Sequence, residues 1–414
     1  MANKPLDHFL NQFIKFVLPA NKHHLLVSSD NRQNVFGPKQ QAYEYIFLNQ
    51  VLEEEPDIQA FLDQVFLHLA PEGRLIIIYR NYLHYFLKNL LNIFSAQKID
   101  AKNWLSTYDL KTFLSLGNFE TIVAQPLCFT QLNIPLVSFL LNRLLLYFYP
   151  FNHLAFLHYM SARKKTHFAK DTSVSIIIPV RNEAGNIKKL LNALPLIGNR
   201  CEVIFVEGHS QDNTLAEVKK CIAQYQKSLP FKLKLINQGL GKGKADAVRQ
   251  GFARAKGEIL VIYDADMSIK AAELTKFYLA IISHQGELIN GSRLIYPLQG
   301  QAMQSLNILG NKFFSLLYSW IIGQKIKDTL CGTKALWKKD YLQIKQDLSL
   351  THKYDPFGDF DLLLGASKLN LKIIDLPVRY YERTYGTTNI KRFQNGWQLL
   401  KYSLLAIKEL KLRL

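Results

Sequence analysis

Residues 258–266 read EILVIYDAD. Ile259 to Ile262 are four consecutive apolar, mostly β-branched residues, the composition of a buried strand, and two carboxylates follow at its tip. Asp264 and Asp266 stand two apart, so in extended backbone both side chains leave the same face. Such a pair suits a hard divalent cation, Mg2+ or Mn2+, which takes oxygen ligands and keeps further positions for substrate phosphates. A D-x-D by itself also occurs in ordinary solvated loops. The surrounding sequence therefore decides what it means.

Upstream, strands alternate with helices. Strands are expected at Ser175–Val180, Val203–Glu207 and Lys232–Asn237, and helices from about Gly185, over Thr214–Ser228 and over Lys244–Ala255. This alternation implies an α/β fold with a mostly parallel sheet flanked by helices and a ligand site at the carboxyl ends of its strands. Between the third strand and its helix, residues 237–258 read NQGLGKGKADAVRQGFARAKGE. Gly239, Gly241 and Gly243, interleaved with Lys242 and Lys244, make a flexible loop carrying two cations, apt for close approach to phosphates. The loop lacks the G-K-[ST] ending of a Walker motif.

The first strand continues as VSIIIPVRNEAGNI (174–187), the second as VIFVEGHSQDNT (203–214), and NGSRL (290–294) follows the aspartates. In order and spacing this succession resembles the catalytic domain of glycosyltransferase family 2, a Rossmann-like GT-A fold, over Ser173–Leu414. The resemblance implies a nucleotide-sugar donor held by Pro179, Val180, Asn182, Glu183, Glu207, Ser210, Lys242, Gly243, Lys244, Asp264 and Ala265, with the cation on Asp264 and Asp266. Glu207 stands where Asp is commoner in the family, which leaves the nucleotide base open.

Further on come IKDTLCGTKALWKKD (326–340) and YDPFGDFDLLLGASKLNLKIIDLPVRYYERTYGTTNIKRF (354–393). These segments are similar to the polyprenyl-phosphate and dolichyl-phosphate sugar synthases. In those enzymes an acidic residue on a helix precedes a basic R-x-x-G-x-[ST] segment, matched here by Arg383, Gly386 and Thr388. The likeness implies that Asp361 or Asp359 orients or deprotonates an acceptor hydroxyl. Both aspartates also suit helix N-caps. If the acceptor is already a phosphate, no base is required, and Arg293, Arg379, Arg383 and Thr388 are its expected binders. The implied reaction is a metal-dependent single displacement, inverting at the sugar.

The first 162 residues carry a second resemblance. AYEYIFLNQVLEEEPDIQAFLDQVFLHLAPEGRLIIIYRN (42–81) reads strand, helix, turn, strand, with the turn at Pro71–Arg74 and a buried strand at Leu75–Tyr79. It is similar to the later half of a class I S-adenosylmethionine-dependent methyltransferase. Leu25–Ser29 is the candidate first strand, but neither a Gly-rich turn nor an acidic residue after a second strand follows it. The expectation is a degenerate module that takes no S-adenosylmethionine. The resulting layout is a methyltransferase-like domain at 1–162, a polar linker at 163–173, a GT-A domain at 174–390 and an amphipathic helix at 391–414.

Composition narrows the partners. Hydrophobic residues make up 48% of 414, enough for two or three cores. The formal charge is +18, of which +14 falls in residues 171–414, favouring phosphate-bearing ligands or an anionic membrane surface. No nucleic-acid-binding motif accompanies it, so no nucleic-acid partner is expected. Four scattered cysteines without a C-x-x-C pair fit a reducing compartment, and the first residues, MANKPLDHFLNQF, lack an apolar h-region, so a signal peptide is not expected there.

Thr121–Asn142 and Leu144–Ala162 lack charged residues but are broken by Pro126, Pro135 and Pro150, so buried or membrane-surface helices are expected there instead of spans. Apolar residues recur at helical spacing at Met303, Leu306, Leu309, Phe313, Leu316 and Trp320. They recur again at Trp397, Leu400, Leu404, Ile407, Leu410 and Leu414, among lysines. Together they suggest peripheral contact with the cytoplasmic face of a membrane, where the lipid-phosphate or glycan acceptor resides.

Overall fold

The structure is a computed structural model. It describes residues 4–18, 22–31, 42–81, 105–129, 151–165, 171–296, 305–347, 358–383 and 392–411, together with 35, 36, 103, 141, 142, 146, 148, 355 and 385. The chain divides into two compact units, Met1–Thr166 with Lys411–Leu414, and His167–Leu410.

The first unit is built on a five-stranded sheet of β1 (His24–Ser28), β2 (Tyr43–Asn49), β3 (Leu69–Arg80), β4 (Phe119–Cys128) and β5 (Leu157–Lys164), in the order β1-β2-β3-β5-β4. The first three are parallel, and β5 runs against both β3 and β4. Alternate residues serve opposite faces, as a pleated strand requires. Ile46, Leu48, Leu75 and Ile77 pack under α2 (Ile58–His68) and α3 (Thr107–Leu116), whereas Tyr45, Phe47, Ile76 and Ile78 meet Leu10, Phe13 and Val17 of α1 (Lys4–Val17).

Two expectations are corrected in this unit. Pro71–Arg74 is not a turn: it lies within β3, and the five steps from Leu69 to Arg74 match only two steps from Tyr43 to Tyr45, a bulge that takes up the extra chain. Within the charge-free stretches, Thr121–Cys128 and Leu157–Ala162 are not helices but parts of strands β4 and β5, while Phe151–Leu154 forms a single short 3-10 turn. The two strands pair with each other, so their apolar side chains are buried by sheet packing. Pro126 is tolerated because β4 is an edge strand, and the register slips between Pro126 and Cys128.

The second unit contains seven strands: β6 (Val174–Val180), β7 (Cys201–Glu207), β8 (Phe231–Asn237), β9 (Ile259–Ile262), β10 (Leu288–Ser292), β11 (Lys334–Trp337) and β12 (Ile373–Pro377). Their order is β12-β10-β11-β9-β6-β7-β8, and only β11 runs against its neighbours. Helices α4 (Ala184–Ala193), α5 (Thr214–Tyr225) and α7 (Leu274–Ile282) cover the face carrying Ile176, Ile178, Val203 and Val261. The other face, with Ile177, Ile204, Leu260 and Ile262, lies under α6 (Gly243–Arg254), α8 (Ser305–Ile322), α9 (Lys338–Asp347), α10 (Asp359–Lys368) and α11 (Arg392–Leu410). This is the mixed α/β, mostly parallel arrangement expected from the sequence. Each fully buried aliphatic side chain contributes about 1.5–3 kcal/mol, so both faces are firmly held.

Helices α8 and α11 meet through the Ser403 hydroxyl, which donates to Tyr318 Oη at 3.3 Å, and through Phe360, packed between Tyr318 and Tyr402. The inner side of α11 is Leu399, Tyr402, Ser403 and Ala406, one position off the anticipated stripe. Trp397 and Leu404 are exposed, Ile407 and Leu410 are only partly buried, and Leu414 lies outside the described residues. Leu309, Phe313 and Leu316 are likewise exposed on α8; Met303 lies outside the described residues, as does the side chain of Leu306. Among the described residues no helix is long and apolar enough to cross a membrane.

Candidate active site

Strand order reverses beside β6: β7 and β8 extend to one side and β9 to the other. Open α/β sheets place ligands at the carboxyl ends of the strands flanking such a switch. The tips of β6, β7 and β9 carry the residues singled out from sequence.

Asp264 and Asp266 follow β9. Lys244, in the first turn of α6, sets its ammonium 2.5 Å from Asp264 Oδ1. Asp266 accepts the Ser268 amide on Oδ1 at 2.9 Å and the Arg383 guanidinium on Oδ2 at 2.7 Å. Burial pushes the Asp264 carboxyl up, but the charge and hydrogen bond of Lys244 outweigh it and hold the group ionised below its usual range. Lys244 is correspondingly raised, since Asp264 and Asp359 outweigh its own burial. Gly332 makes the pairing possible: a Cβ there would occupy the space of Asp264 Oδ2 and Lys244 Nζ.

The loops after β6 and β7 are laced together. Ser210 Oγ accepts the Asn182 amide at 3.1 Å, Asn182 Oδ1 accepts the Gln211 amide at 2.8 Å, and Thr214 Oγ1 accepts the Glu183 amide at 2.8 Å. Asn182 takes φ 58°, the left-handed region that Asn tolerates. Glu207 is buried and accepts the Ser210 amide at 2.6 Å, so one carboxylate oxygen shapes the loop. Glu183 has a pKa raised to about 7, chiefly by burial and further by the negative charges of Asp266 and Asp264. Val180 and Ala265 are buried, and Val180 pairs through its backbone, accepting the Gly208 amide at 2.9 Å. Pro179 pairs with Val206 in the sheet. Lys242 and Gly243 are exposed at the start of α6, Gly243 with φ 82°, leaving the helix N-terminus open toward the strand tips.

The second acidic group divides. Asp359 accepts the Lys334 ammonium at 2.8 Å, and both residues are buried. Asp361 accepts the Tyr402 hydroxyl at 2.5 Å and lies 3.8 Å from Arg249. The electrostatic pull of Asp359 on Lys244 links it to the Asp264 cluster, whereas Asp361 bonds to α11. Neither aspartate caps the helix; Asp355 does, accepting the amides of Phe360 and Asp361 at 2.9 Å each.

Of the expected phosphate binders, Arg383 meets Asp266. Arg293 forms a two-pronged pair with Asp328, at 2.8 and 2.9 Å, and stacks on Tyr380. Arg379 lies over the Tyr296 ring, 5.3 Å from its centroid. Thr388 and Gly386 lie outside the described residues. Sequence reading missed Lys334, Gly332, Asp328 and Tyr385. Only Lys334 left a signal, a lone cation among the apolar residues of a strand.

Two carboxylates at one strand tip, with cations already drawn to them, fit a Mg2+ or Mn2+ ion that completes its shell with phosphate oxygens. Among the described residues no three His, Cys, Asp or Glu side chains gather into a metal-holding group.

Residues 175–342 match the family model described as glycosyl transferase family 2. The chain is similar to the dolichyl-phosphate beta-glucosyltransferase of Saccharomyces cerevisiae, at 26% identity over 232 residues, covering 50% of this chain and 67% of the relative. It is also similar to the UDP-N-acetylglucosamine–dolichyl-phosphate N-acetylglucosaminyltransferase of Methanococcus voltae, at 24% over 242 residues, covering 56% and 96%. Among solved structures, glucosyl-3-phosphoglycerate synthase of Mycobacterium tuberculosis, with Mn2+ and UDP, aligns over 57% of this chain and 80% of its own at 15% identity, with a TM-score of 0.42.

Proposed function

We propose that this glycosyltransferase, whose residues 175–342 match the family 2 model, moves a sugar from a nucleoside diphosphate onto a lipid phosphate. The observation that carries this reading is the Asp264–Asp266 pair beside Lys244 and the open N-terminus of α6. Asp264 and Asp266 would hold a divalent cation, whose charge offsets that of the departing diphosphate. Lys244, Lys242 and the α6 amides face the same phosphates. Asn182, Glu183, Glu207 and Ser210 line the nucleoside side.

An acceptor phosphate oxygen attacks the anomeric carbon as the bond to the diphosphate breaks, so the configuration inverts and no covalent enzyme intermediate forms. A phosphate acceptor is favoured by the state of the two acids. Asp359 is committed to Lys334 and Asp361 to Tyr402, so neither is poised to remove a hydroxyl proton. An ionised phosphate needs no such base. The names of the relatives point to the same acceptor chemistry.

Peripheral attachment to the cytoplasmic membrane face is supported by the exposed Leu309, Phe313 and Leu316 of α8 and Trp397 and Leu404 of α11, with Lys312, Lys401 and Lys408 exposed on the same helices. For the first unit, the reading is a methyltransferase-like remnant. Its parallel trio β1-β2-β3, with α2 between β2 and β3, supports this. So does the turn after β1, which is tied by Asn31 to Ser28 and Leu26 where a cofactor would need open glycine backbone.

The test measures sugar transfer to a short polyprenyl phosphate, and to the matching alcohol, in Mg2+ or Mn2+. Wild type should glycosylate the phosphate only, and Asp266→Ala should lose at least about 100-fold in kcat, the scale of losing one charge-stabilising group. Equal rates for the two proteins would end the metal assignment. Turnover of the alcohol would end the lipid-phosphate one.

A further inference from the structure

Asp328 plays no part in the reading above, yet it is fully buried and its carboxylate accepts five hydrogen bonds. Oδ2 takes the Arg293 amide and Nε at 3.0 and 2.8 Å. Oδ1 takes Arg293 Nη2, Asn311 Nδ2 and the Leu330 amide at 2.9, 2.7 and 3.1 Å. A carboxylate offers about four lone-pair sites, so Asp328 has no capacity left to act on a substrate. Burial pushes its carboxyl up, but the charge and hydrogen bonds of Arg293 outweigh it and lower the pKa to about 2.

A polar ladder on the inner side of α8 supports this pair. Asn311, Ser315 and Ser319 recur every four residues and so share one face. Asn311 Oδ1 accepts the Thr329 amide at 3.2 Å, Ser315 Oγ lies 2.8 Å from Lys327 O, and Ser319 Oγ accepts the Ile326 amide at 2.9 Å. From β10, Asn290 Nδ2 donates to Asp328 O at 2.8 Å. The segment 326–329 is thereby clipped between α8 and β10. Leu309, Phe313 and Leu316 of the same helix are exposed.

A buried ion pair of this kind is seldom more stable than apolar packing in its place, so what it holds matters more than what it adds to stability. It holds the Arg293 guanidinium, which is 13% exposed, with its Nε and Nη2 edge on Asp328 and Tyr380 5.1 Å away across its face. The charge of Arg293 also reaches Asp264, where it joins Lys244 in keeping the carboxyl ionised against burial. The guanidinium thus stands within electrostatic reach of the donor cluster. A free arginine side chain carries about 2 kcal/mol of rotamer entropy, which this clamp removes in advance.

We propose that Asp328 and Asn311 are positioning residues for the acceptor: Asp328 grips the Nε–Nη2 edge of Arg293 so that its Nη1 side meets the acceptor phosphate, and Asn311 fixes that pair to α8. The inference rests on the lipid-phosphate reading and adds to it the means by which the attacking oxygen is aimed. Neither residue touches the phosphate. Both act through the guanidinium, and they set its place relative to the helix whose outer face is offered to lipid.

The experiment measures transfer to a short polyprenyl phosphate by the full chain, for wild type, Asp328→Asn, Asn311→Ala, Arg293→Gln and the double variant Asp328→Asn with Arg293→Gln. Binding of a nucleoside diphosphate with Mn2+ is followed alongside for Asp328→Asn and Asn311→Ala. Asp328→Asn should lower kcat about 10–100-fold, the range for residues that orient a binding group. Its acceptor KM should move by less than about threefold, because the cation itself remains, whereas Arg293→Gln should raise KM as well. Asn311→Ala should lower kcat about fivefold, the worth of one hydrogen bond. The double variant should be no slower than Arg293→Gln alone, since a residue acting through Arg293 has nothing left to position. Its neutral pair also folds where Asp328→Asn strands a buried charge. Additive losses in the double variant, or wild-type kcat in Asn311→Ala, overturn the positioning and leave the acceptor reading standing. Donor binding that weakens in step with kcat marks general damage and overturns it too. A wild type that binds the donor but leaves the polyprenyl phosphate untouched ends the lipid-phosphate reading and this inference with it.

Discussion

At the level of single residues, the carboxylates carry the argument, and their meaning comes from what faces them. Asp264 and Asp266 were legible because a D-x-D at a strand tip is local. The commitments of Asp359, Asp361 and Arg293 were not, because Lys334, Tyr402 and Asp328 lie 25, 41 and 35 positions away in sequence. The buried Lys334–Asp359 pair makes a direct prediction. Removing one member strands the other, which costs about 3–5 kcal/mol, whereas replacing both with apolar groups is close to neutral. Urea unfolding of Lys334→Met should show the loss, and Lys334→Met with Asp359→Leu should recover most of it. Equal stability of the single and double variants would remove the pair from the account.

Asp375 makes a second. Burial raises its pKa to about 6 against the pull of its donors, Asn290 and the Lys327 amide. A carboxyl raised above its unfolded value favours the folded state while protonated, so its contribution is full below about pH 4 and is lost as pH rises through about 6. Wild type should therefore lose roughly 1–2 kcal/mol relative to Asp375→Asn between pH 5 and 7.5, a figure reduced for the group's partial exposure. A flat difference in denaturation midpoint across that range would refute it.

Whole elements were read well where periodicity was clean and poorly where pairing decides. The strands from Val174 to Ile262 announced themselves because each is an apolar run ended by polar loop residues. Strands β4 and β5 did not, since a charge-free stretch broken by proline looks alike whether it is a buried helix or an edge strand. For α11 the period was right, and the stripe read from sequence lies beside the inward residues Leu399, Tyr402 and Ala406, leaving Trp397 and Leu404 exposed while Tyr402 packs on Phe360. The outcome is an outward face on α8 and α11 that combines apolar side chains with lysines. If this face meets lipid, the protein should co-sediment with vesicles containing anionic lipid at low salt. Phe313→Glu with Leu316→Glu should abolish that binding while moving the thermal midpoint little, since exposed substitutions usually stay within about 0.5 kcal/mol. Retention of the double variant on vesicles would exclude these residues from contact.

Taken as a whole, the chain divides into two compact units, and the basic excess lies in residues 171–414 along with the family match to 175–342. The division into units near Thr166 falls in the polar, basic run SARKKTHFAKDTS, whereas no stretch of the first unit's sequence announces a role for it. A ligand that binds only one folded unit stabilises that unit by RT ln(1 + [L]/Kd), about 2.7 kcal/mol at a hundredfold excess over Kd. Hydrogen exchange on the full chain can assign that gain to segments. Mn2+ with a nucleoside diphosphate should slow exchange in peptides spanning β6, β7, the start of α6 and the tip of β9, where Asn182, Glu207, Lys244 and Asp266 reside, and leave α1, β2 and β3 unchanged. S-adenosylmethionine should slow neither set, because the turn after β1 is closed by Asn31 and offers no glycine backbone to a cofactor. Protection of β1 and β2 by S-adenosylmethionine would restore a working cofactor site to the first unit. Protection by the nucleotide confined to that unit would move the catalytic assignment out of the second.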